Sequence, residues 1–114
     1  MNNREKGKIG EDIAAEYIQR NGGEILRRNY WTDFGEIDII VRTESEIVFI
    51  EVKSRYGNKF GNPAEAVNSV KQKKIRNAAM FYINSNYLSE FQVRFDVIEI
   101  YIKEGKINHI VSAF

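Results

Sequence analysis

The chain has no cysteine and one histidine, His109. Disulfides, thiolate zinc centres and cysteine nucleophiles are thereby excluded, and histidine-rich metal sites and Ser-His-Asp machinery lack their parts. No apolar run approaches the ~20 residues a membrane-spanning helix requires. The opening MNNREKGKIG is too polar and charged for a signal peptide. Together with the missing thiols, these absences lead to the expectation of a cytoplasmic protein with no membrane partner. An excess of one charge is lacking too: 17 Lys and Arg stand against 16 Asp and Glu, a formal net charge of +1. Nucleic-acid binding therefore cannot be argued from total charge, only from where the charges lie. What remains for chemistry is oxygen ligands, Lys and Arg.

What is present fits one domain. The 114 residues, 43% of them hydrophobic, suffice for one ordinary core, and no repeat, linker or low-complexity stretch interrupts them. Residues 4–20 read as a helix with Ile9, Ile13, Ala14, Tyr17 and Ile18 in one half of the wheel. Gly7, Gly10 and Ala14 form a small-residue seam that would let the helix press close to a sheet, and Glu11 falls at the edge of the apolar arc. Asn21-Gly22-Gly23 stops the helix. Strands are expected over 24–30, 35–42 and 46–55, joined tightly enough for an antiparallel meander. Strict alternation puts Ile37, Ile39 and Val41 on one face of the second strand and Glu36, Asp38 and Ile40 on the other. In the third, Val48, Ile50 and Val52 oppose Ile47, Phe49, Glu51 and Lys53. A loop over 56–62, a helix start at Asn62-Pro63 and a turn through Val67 lead to a helix over 69–84. Strands over 91–102 and 106–111 close the order α-β-β-β-α-β with one extra strand.

The charges segregate along this order. Residues 31–51 carry Asp33, Glu36, Asp38, Glu44, Glu46 and Glu51 against Arg42, whereas 52–76 carry Lys53, Arg55, Lys59, Lys71, Lys73, Lys74 and Arg76 against Glu65. An acidic centre followed by a basic loop and helix suits an enzyme whose carboxylates hold a cation while bases hold phosphates. By itself, the Lys-rich helix reads equally as a solvated face. Asp38 and Glu51 are more telling, because each sits in an apolar strand run where an unpaired carboxylate is costly. A divalent cation between them would relieve both the burial and the repulsion. Lys53, two residues beyond Glu51, shares its face and would reach the same place. A carboxylate pair bridged by Lys53 alone is the simpler alternative. Oxygen-only ligands suit Mg²⁺ or Mn²⁺, an ion able to polarise a phosphodiester and acidify water.

Glu11 on a first helix, then Asp38, then Glu51-Val52-Lys53 resembles the PD-(D/E)XK nuclease superfamily, and the layout is similar to that of Holliday-junction resolvases. The match is closer to the YraN-type family of small bacterial proteins. Gly7-x-x-Gly10-Glu11, Asn29-Tyr30, Gly35-Glu36-Ile37-Asp38, Phe49-Ile50-Glu51-Val52-Lys53-Ser54-Arg55, Lys71, Lys74, Arg94-Phe95-Asp96-Val97 and Ala113-Phe114 carry it along nearly the whole chain. The resemblance implies a restriction-endonuclease-like α/β fold with a mixed central sheet flanked by helices. It also implies Glu11, Asp38, Glu51 and Lys53 as the catalytic set, the three acids as ligands of Mg²⁺ or Mn²⁺, and nucleic acid, DNA foremost, as the partner. Ile37 stands where the superfamily's proline would be, a departure that removes no ligand.

The remaining candidates carry blander readings beside their functional ones. Arg55, Lys71 and Lys74 are expected to contact phosphates. Glu36 is expected to cap a turn or pair with a base such as Arg55, and Arg94 with Asp96 to form a structural contact. Tyr56 and Phe60 would pack the loop or stack on unpaired bases. Trp31 reads as core or interface rather than as a base-stacking platform, and His109 as no ligand, for want of an acid at useful spacing. Two functions compete: a metal-dependent endonuclease, and a binding module that keeps the fold without the chemistry. A protein-interaction module in DNA repair or uptake is a weaker third. A homodimer would supply the two cuts a four-way junction needs.

Overall fold

The computed structural model describes residues 2–56 and 67–114. The expected loop with Phe60 and the Asn62-Pro63 helix start lie outside the described residues. Helix α1 (Asn3–Arg20) is capped by Asn2, whose side chain accepts the Glu5 amide at 2.8 Å. It stops where Gly22 turns left-handed at φ 84°. Strands β1 (Glu24–Thr32), β2 (Gly35–Arg42) and β3 (Glu46–Arg55) follow, then helix α2 (Ser69–Ser85), β4 (Gln92–Tyr101) and β5 (Lys106–Ile110). Strand β1 runs two residues beyond expectation because the Thr32 hydroxyl accepts the Phe34 and Gly35 amides and fixes the turn only there. Asn68 caps α2 by accepting the Lys71 amide at 2.9 Å.

The five strands form one mixed sheet in the order β1-β2-β3-β4-β5. The first three make the expected antiparallel meander. Helix α2 then carries the chain across to β4, which runs parallel to β3 from Glu46↔Gln92 to Arg55↔Tyr101. The α-β-β-β-α-β core with a terminal strand is thus present, a mixed α/β sheet with a helix on each face. Among the described residues no helix is long and apolar enough to cross a membrane.

Each face has its own core. Under α2, Ile75, Ala78, Ala79 and Tyr82 pack on Ile37, Ile40, Ile47 and Phe49. Under α1, Ala14, Ala15 and Ile18 pack on Ile39, Val41, Val48 and Ile50. Small residues bring α1 very close. A Cβ built on Gly10 would lie 1.7 Å from Ser54 Oγ and 2.9 Å from its Cβ. Gly7, expected in the same seam, instead borders open space.

Strict alternation along β2 fails. Ile37 joins Ile40 under α2, while Ile39 joins Val41 under α1, so the side-chain parity changes at Asp38. Two features cause it. The described pairing of β2 with β3 begins only at Ile39↔Ile50, and on β1 the backbone of Asn29, between the paired residues Arg28 and Tyr30, is left-handed at φ 52°. Trp31, expected in a core or interface, is 71% exposed.

Candidate active site

The parity change is what positions Asp38. Freed from ladder pairing with β3, its carboxylate reaches across and accepts the Val52 amide at 2.8 Å. Burial and the nearby negative charge of Glu51 push this carboxyl up to about 7, against the single amide hydrogen bond that favours its ionised form. Glu11 and Glu36 push in the same direction, so the acids converge electrostatically on Asp38.

Glu51 is buried on β3, and two lysines approach one of its oxygens. Lys71 Nζ, from α2, is 2.7 Å from Glu51 Oε1, and Lys53 Nζ is 3.6 Å from the same atom. Burial together with the neighbouring Lys71 pulls the Lys53 ammonium below the usual lysine value. Burial also opposes the charge on Lys71, but its hydrogen bonds to Glu51 and Lys53 outweigh that and hold it above. Lys71, expected as a phosphate contact, therefore sits inside the acidic centre. Its one-sided partner could not be read from a sequence separation of 20 residues.

Glu11 enters from the opposite helix. Its Oε1 accepts Arg28 Nε at 3.1 Å and Asn29 Nδ2 at 3.0 Å. The left-handed Asn29 is what lets two successive β1 side chains reach the same carboxylate. Glu11, Asp38 and Lys53 line an open cleft of about 1040 Å³ whose walls also include Arg4, Lys6, Lys8, Arg28, Glu36 and Tyr56. Glu51 is absent from that lining, and Lys53 Nζ connects the cleft to it. Three of the four expected residues thus share one cleft, with the fourth joined to them through Lys53.

The other candidates separate. Arg55 pairs not with Glu36 but with the fully buried Glu99, at 3.5 Å, because Glu99 stands beside Lys53 on the neighbouring strand. Asn108 supplies Glu99 a second partner at 2.8 Å. Lys74 is exposed and packs its stem beside Gly35, on the α2 side of the sheet. Tyr56 packs on α1, its hydroxyl donating to the Lys6 carbonyl at 2.6 Å. Arg94 and Asp96 form the expected contact, at 2.9 Å. His109 does have an acid: its Nε2 is 2.7 Å from Asp96 Oδ2, while Nδ1 is 3.0 Å from the Tyr17 hydroxyl. That acid lies across a strand pair, out of reach of any spacing argument along the sequence.

Among the described residues, no three of the His, Asp and Glu side chains close on one point as a finished metal cage would. The chemistry of the donors nevertheless fits a hard divalent cation. They are all oxygen, and Asp38 is held against Glu51 with an amide as its hydrogen-bond partner among the described residues. Asp38 and Glu51 would hold such an ion, with Glu11 facing the same cleft and Lys71 releasing Glu51.

The pattern described as "Uncharacterised protein family UPF0102" matches residues 10–100, a span that contains every residue of this centre. The chain belongs to the UPF0102 family. A UPF0102 protein of Clostridioides difficile is 52% identical over 114 residues, covering 100% of both chains. Another UPF0102 protein, from Thermodesulfovibrio yellowstonii, is 49% identical over 110 residues and 96% of each chain. A third, from Caldanaerobacter subterraneus, is 43% identical over 119 aligned positions, 100% of this chain and 98% of its own. Among solved structures, SfsA of Pyrococcus furiosus in complex with Ca²⁺ aligns with 93% of this UPF0102 chain and 62% of its own, at 14% identity and a TM-score of 0.36. A likeness of that size carries no argument.

Proposed function

We propose that this UPF0102 protein is a metal-dependent endonuclease that hydrolyses phosphodiester bonds of nucleic acid, with Glu11, Asp38, Glu51 and Lys53 as its machinery. The observation that supports this reading best is the placement of Asp38, a carboxylate carried out of the strand ladder and held at about 7 beside Glu51 and Lys53. Mg²⁺ or Mn²⁺ held by Asp38 and Glu51 would supply positive charge at the phosphate and acidify water there. Glu11, oriented by Arg28 and Asn29, faces the same cleft and would add negative charge to hold the cation. Lys53, at the cleft and 3.6 Å from Glu51, suits a group that orients the attacking water or neutralises the charge that grows on the phosphate, and the water's proton passes to solvent. Water attacks phosphorus in line with the leaving oxygen; the new P–O bond forms as the old one breaks, and the leaving oxygen is protonated from solvent.

The test is cleavage of single-stranded, duplex and branched DNA and of RNA with Mg²⁺ or Mn²⁺. Glu51→Ala and Lys53→Ala are each expected to lower the rate at least about a hundredfold. Mn²⁺ should raise the melting temperature of the wild type and not that of Asp38→Asn, because an ion that binds only the folded state stabilises it. Absence of cleavage on every substrate with either metal would overturn the reading.

One observation favours a second reading, a nucleic-acid-binding module without catalysis: Glu51 is already neutralised by Lys71 at 2.7 Å. That reading predicts salt-dependent binding that survives both chelator and Glu51→Ala. Loss of binding on chelation alone counts against it.

A further inference from the structure

Sequence reasoning placed the nucleic-acid contacts on the basic run after Glu51. The structure offers a different surface. The open cleft that Asp38 lines is bordered by Arg4, Lys6 and Lys8 from the first two turns of α1, together with Arg28 and Lys53. Helix α1 starts in this wall, so its positive end lies on the same side. Gly7 also lines the wall, and a Cβ there would meet nothing within 4 Å. The five cationic side chains on this wall suit an anion, laid beside the acids Glu11, Glu36 and Asp38 that line the same cleft.

Beside the cleft stands Trp31, the single tryptophan of the chain and 71% exposed. It lies on β1, the edge strand, directly across from Glu36, which lines the cleft. Directly opposed residues share a face of the sheet. The left-handed Asn29 sets this phase: Tyr30 turns into the α2 core, and its neighbour Trp31 turns to the α1 face. Glu36 and Asp38 are two residues apart, about 7 Å along a strand, and both line the cleft, so Trp31 stands on the strand that borders it. Among the described residues no ring stacks on Trp31 and nothing bonds its indole nitrogen.

We infer that the cleft is a track for single-stranded nucleic acid, on which Trp31 stacks an unpaired base while Arg4, Lys6 and Lys8 hold the phosphates. The inference rests on the nucleic-acid reading above and narrows its substrate to one with unpaired nucleotides beside the scissile bond, as in an overhang, flap or loop. A flat exposed π-face next to a cationic groove matches the two chemical parts of a single strand, base and phosphate. A fully paired duplex offers the phosphates but no free base face, and an acidic peptide offers charge without the ring.

Because Trp31 is the single tryptophan, intrinsic fluorescence reports on this position alone. The full-length Glu51→Ala protein in EDTA, which removes cleavage from the measurement, is titrated with oligothymidylate, with a blunt duplex of equal length and with poly-glutamate. The expected result is saturable quenching by oligothymidylate and little by the other two. By fluorescence anisotropy of labelled oligothymidylate, Trp31→Ala should weaken binding about 5- to 150-fold while Trp31→Phe keeps most of the affinity. Equal affinity of Trp31→Ala and the parent overturns the platform, as does equal quenching by duplex or by poly-glutamate. A protein-concentration-dependent blue shift without nucleic acid also overturns it, since a second copy would then be the occupant. The two readings fail separately. Quenching without cleavage at any metal removes the nuclease and keeps the track, whereas cleavage indifferent to Trp31 removes the track and keeps the nuclease.

Discussion

Two aspartates, one on each side of the balance between stability and function, make the residue-scale case. Asp38 is held where ionisation is unfavourable, by burial and by Glu51. Asparagine at this position still accepts the Val52 amide but carries no charge. Asp38→Asn is therefore expected to raise the unfolding free energy at pH 8, without divalent ions, by about 1–2 kcal/mol while abolishing cleavage. A less stable variant in urea titrations would contradict the electrostatic account. Asp96 is the reverse case. It is fully buried, and although burial opposes its charge, hydrogen bonds from His109, Arg94 and the Ser112 amide hold its carboxyl below the ordinary value of 3.8. A depressed folded value means that its contribution is complete above the unfolded value and is lost as pH falls through the folded one. Asp96→Asn should cost about 2–4 kcal/mol at pH 7. The gap to wild type should narrow in urea titrations carried below pH 4, as the carboxyl protonates.

At the scale of the element, the two glycines of α1 separate what the helix owes to the sheet from what it owes to the cleft. Gly10→Ala drives a methyl into Ser54, whose Cβ lies 2.9 Å away, and should destabilise by about 1–3 kcal/mol. Gly7→Ala meets nothing and removes the entropy cost of a helical glycine, so it should stabilise by about 0.5–1 kcal/mol. Thermal melts of the pair check both signs. The close approach at Gly10 was legible in the sequence because small residues recur on one helical face, but Gly7 fits the same pattern and does something else. The strands show the same limit. Strands β2 and β3 have the bounds their apolar runs predict, and Glu11, Asp38 and Lys53, which the motif names, line one cleft. A period of two cannot anticipate where alternation fails, so Ile37 was assigned to the face of Ile39. That failure at Asp38 and Asn29 is the feature that aims Asp38 at Val52 and two β1 side chains at Glu11. Lys71 on Glu51, Glu99 behind Arg55 and Asp96 on His109 are contacts between different elements of the fold. No local pattern encodes such partners.

For the whole molecule, a net charge of +1 gives little long-range attraction for a polyanion, so affinity must come from cations gathered locally. Two gatherings compete: the cleft wall with Arg4, Lys6, Lys8, Arg28 and Lys53, and the exposed Lys73 and Lys74 of α2 on the other side of the sheet. Whereas α2 reaches the acidic centre through Lys71, the first shares its cleft with Glu11, Glu36 and Asp38. Even there, Lys8 and Arg28 share Asp12, at 3.2 and 2.5 Å, so part of the charge is already spoken for. A single strand releases counterions with a slope near −0.7 per neutralised phosphate, so five cations set a limit of about −3.5 for log K against log salt. The expected slope for oligothymidylate is shallower than this limit. Arg4→Gln and Lys6→Gln should each reduce its magnitude by about 0.7. Lys73→Gln and Lys74→Gln should leave both slope and affinity unchanged, although the sequence made that helix the more conspicuous basic feature. If the α2 substitutions flatten the slope and the α1 substitutions do not, nucleic acid lies on the opposite side of the sheet from the cleft, and the track past Trp31 is wrong.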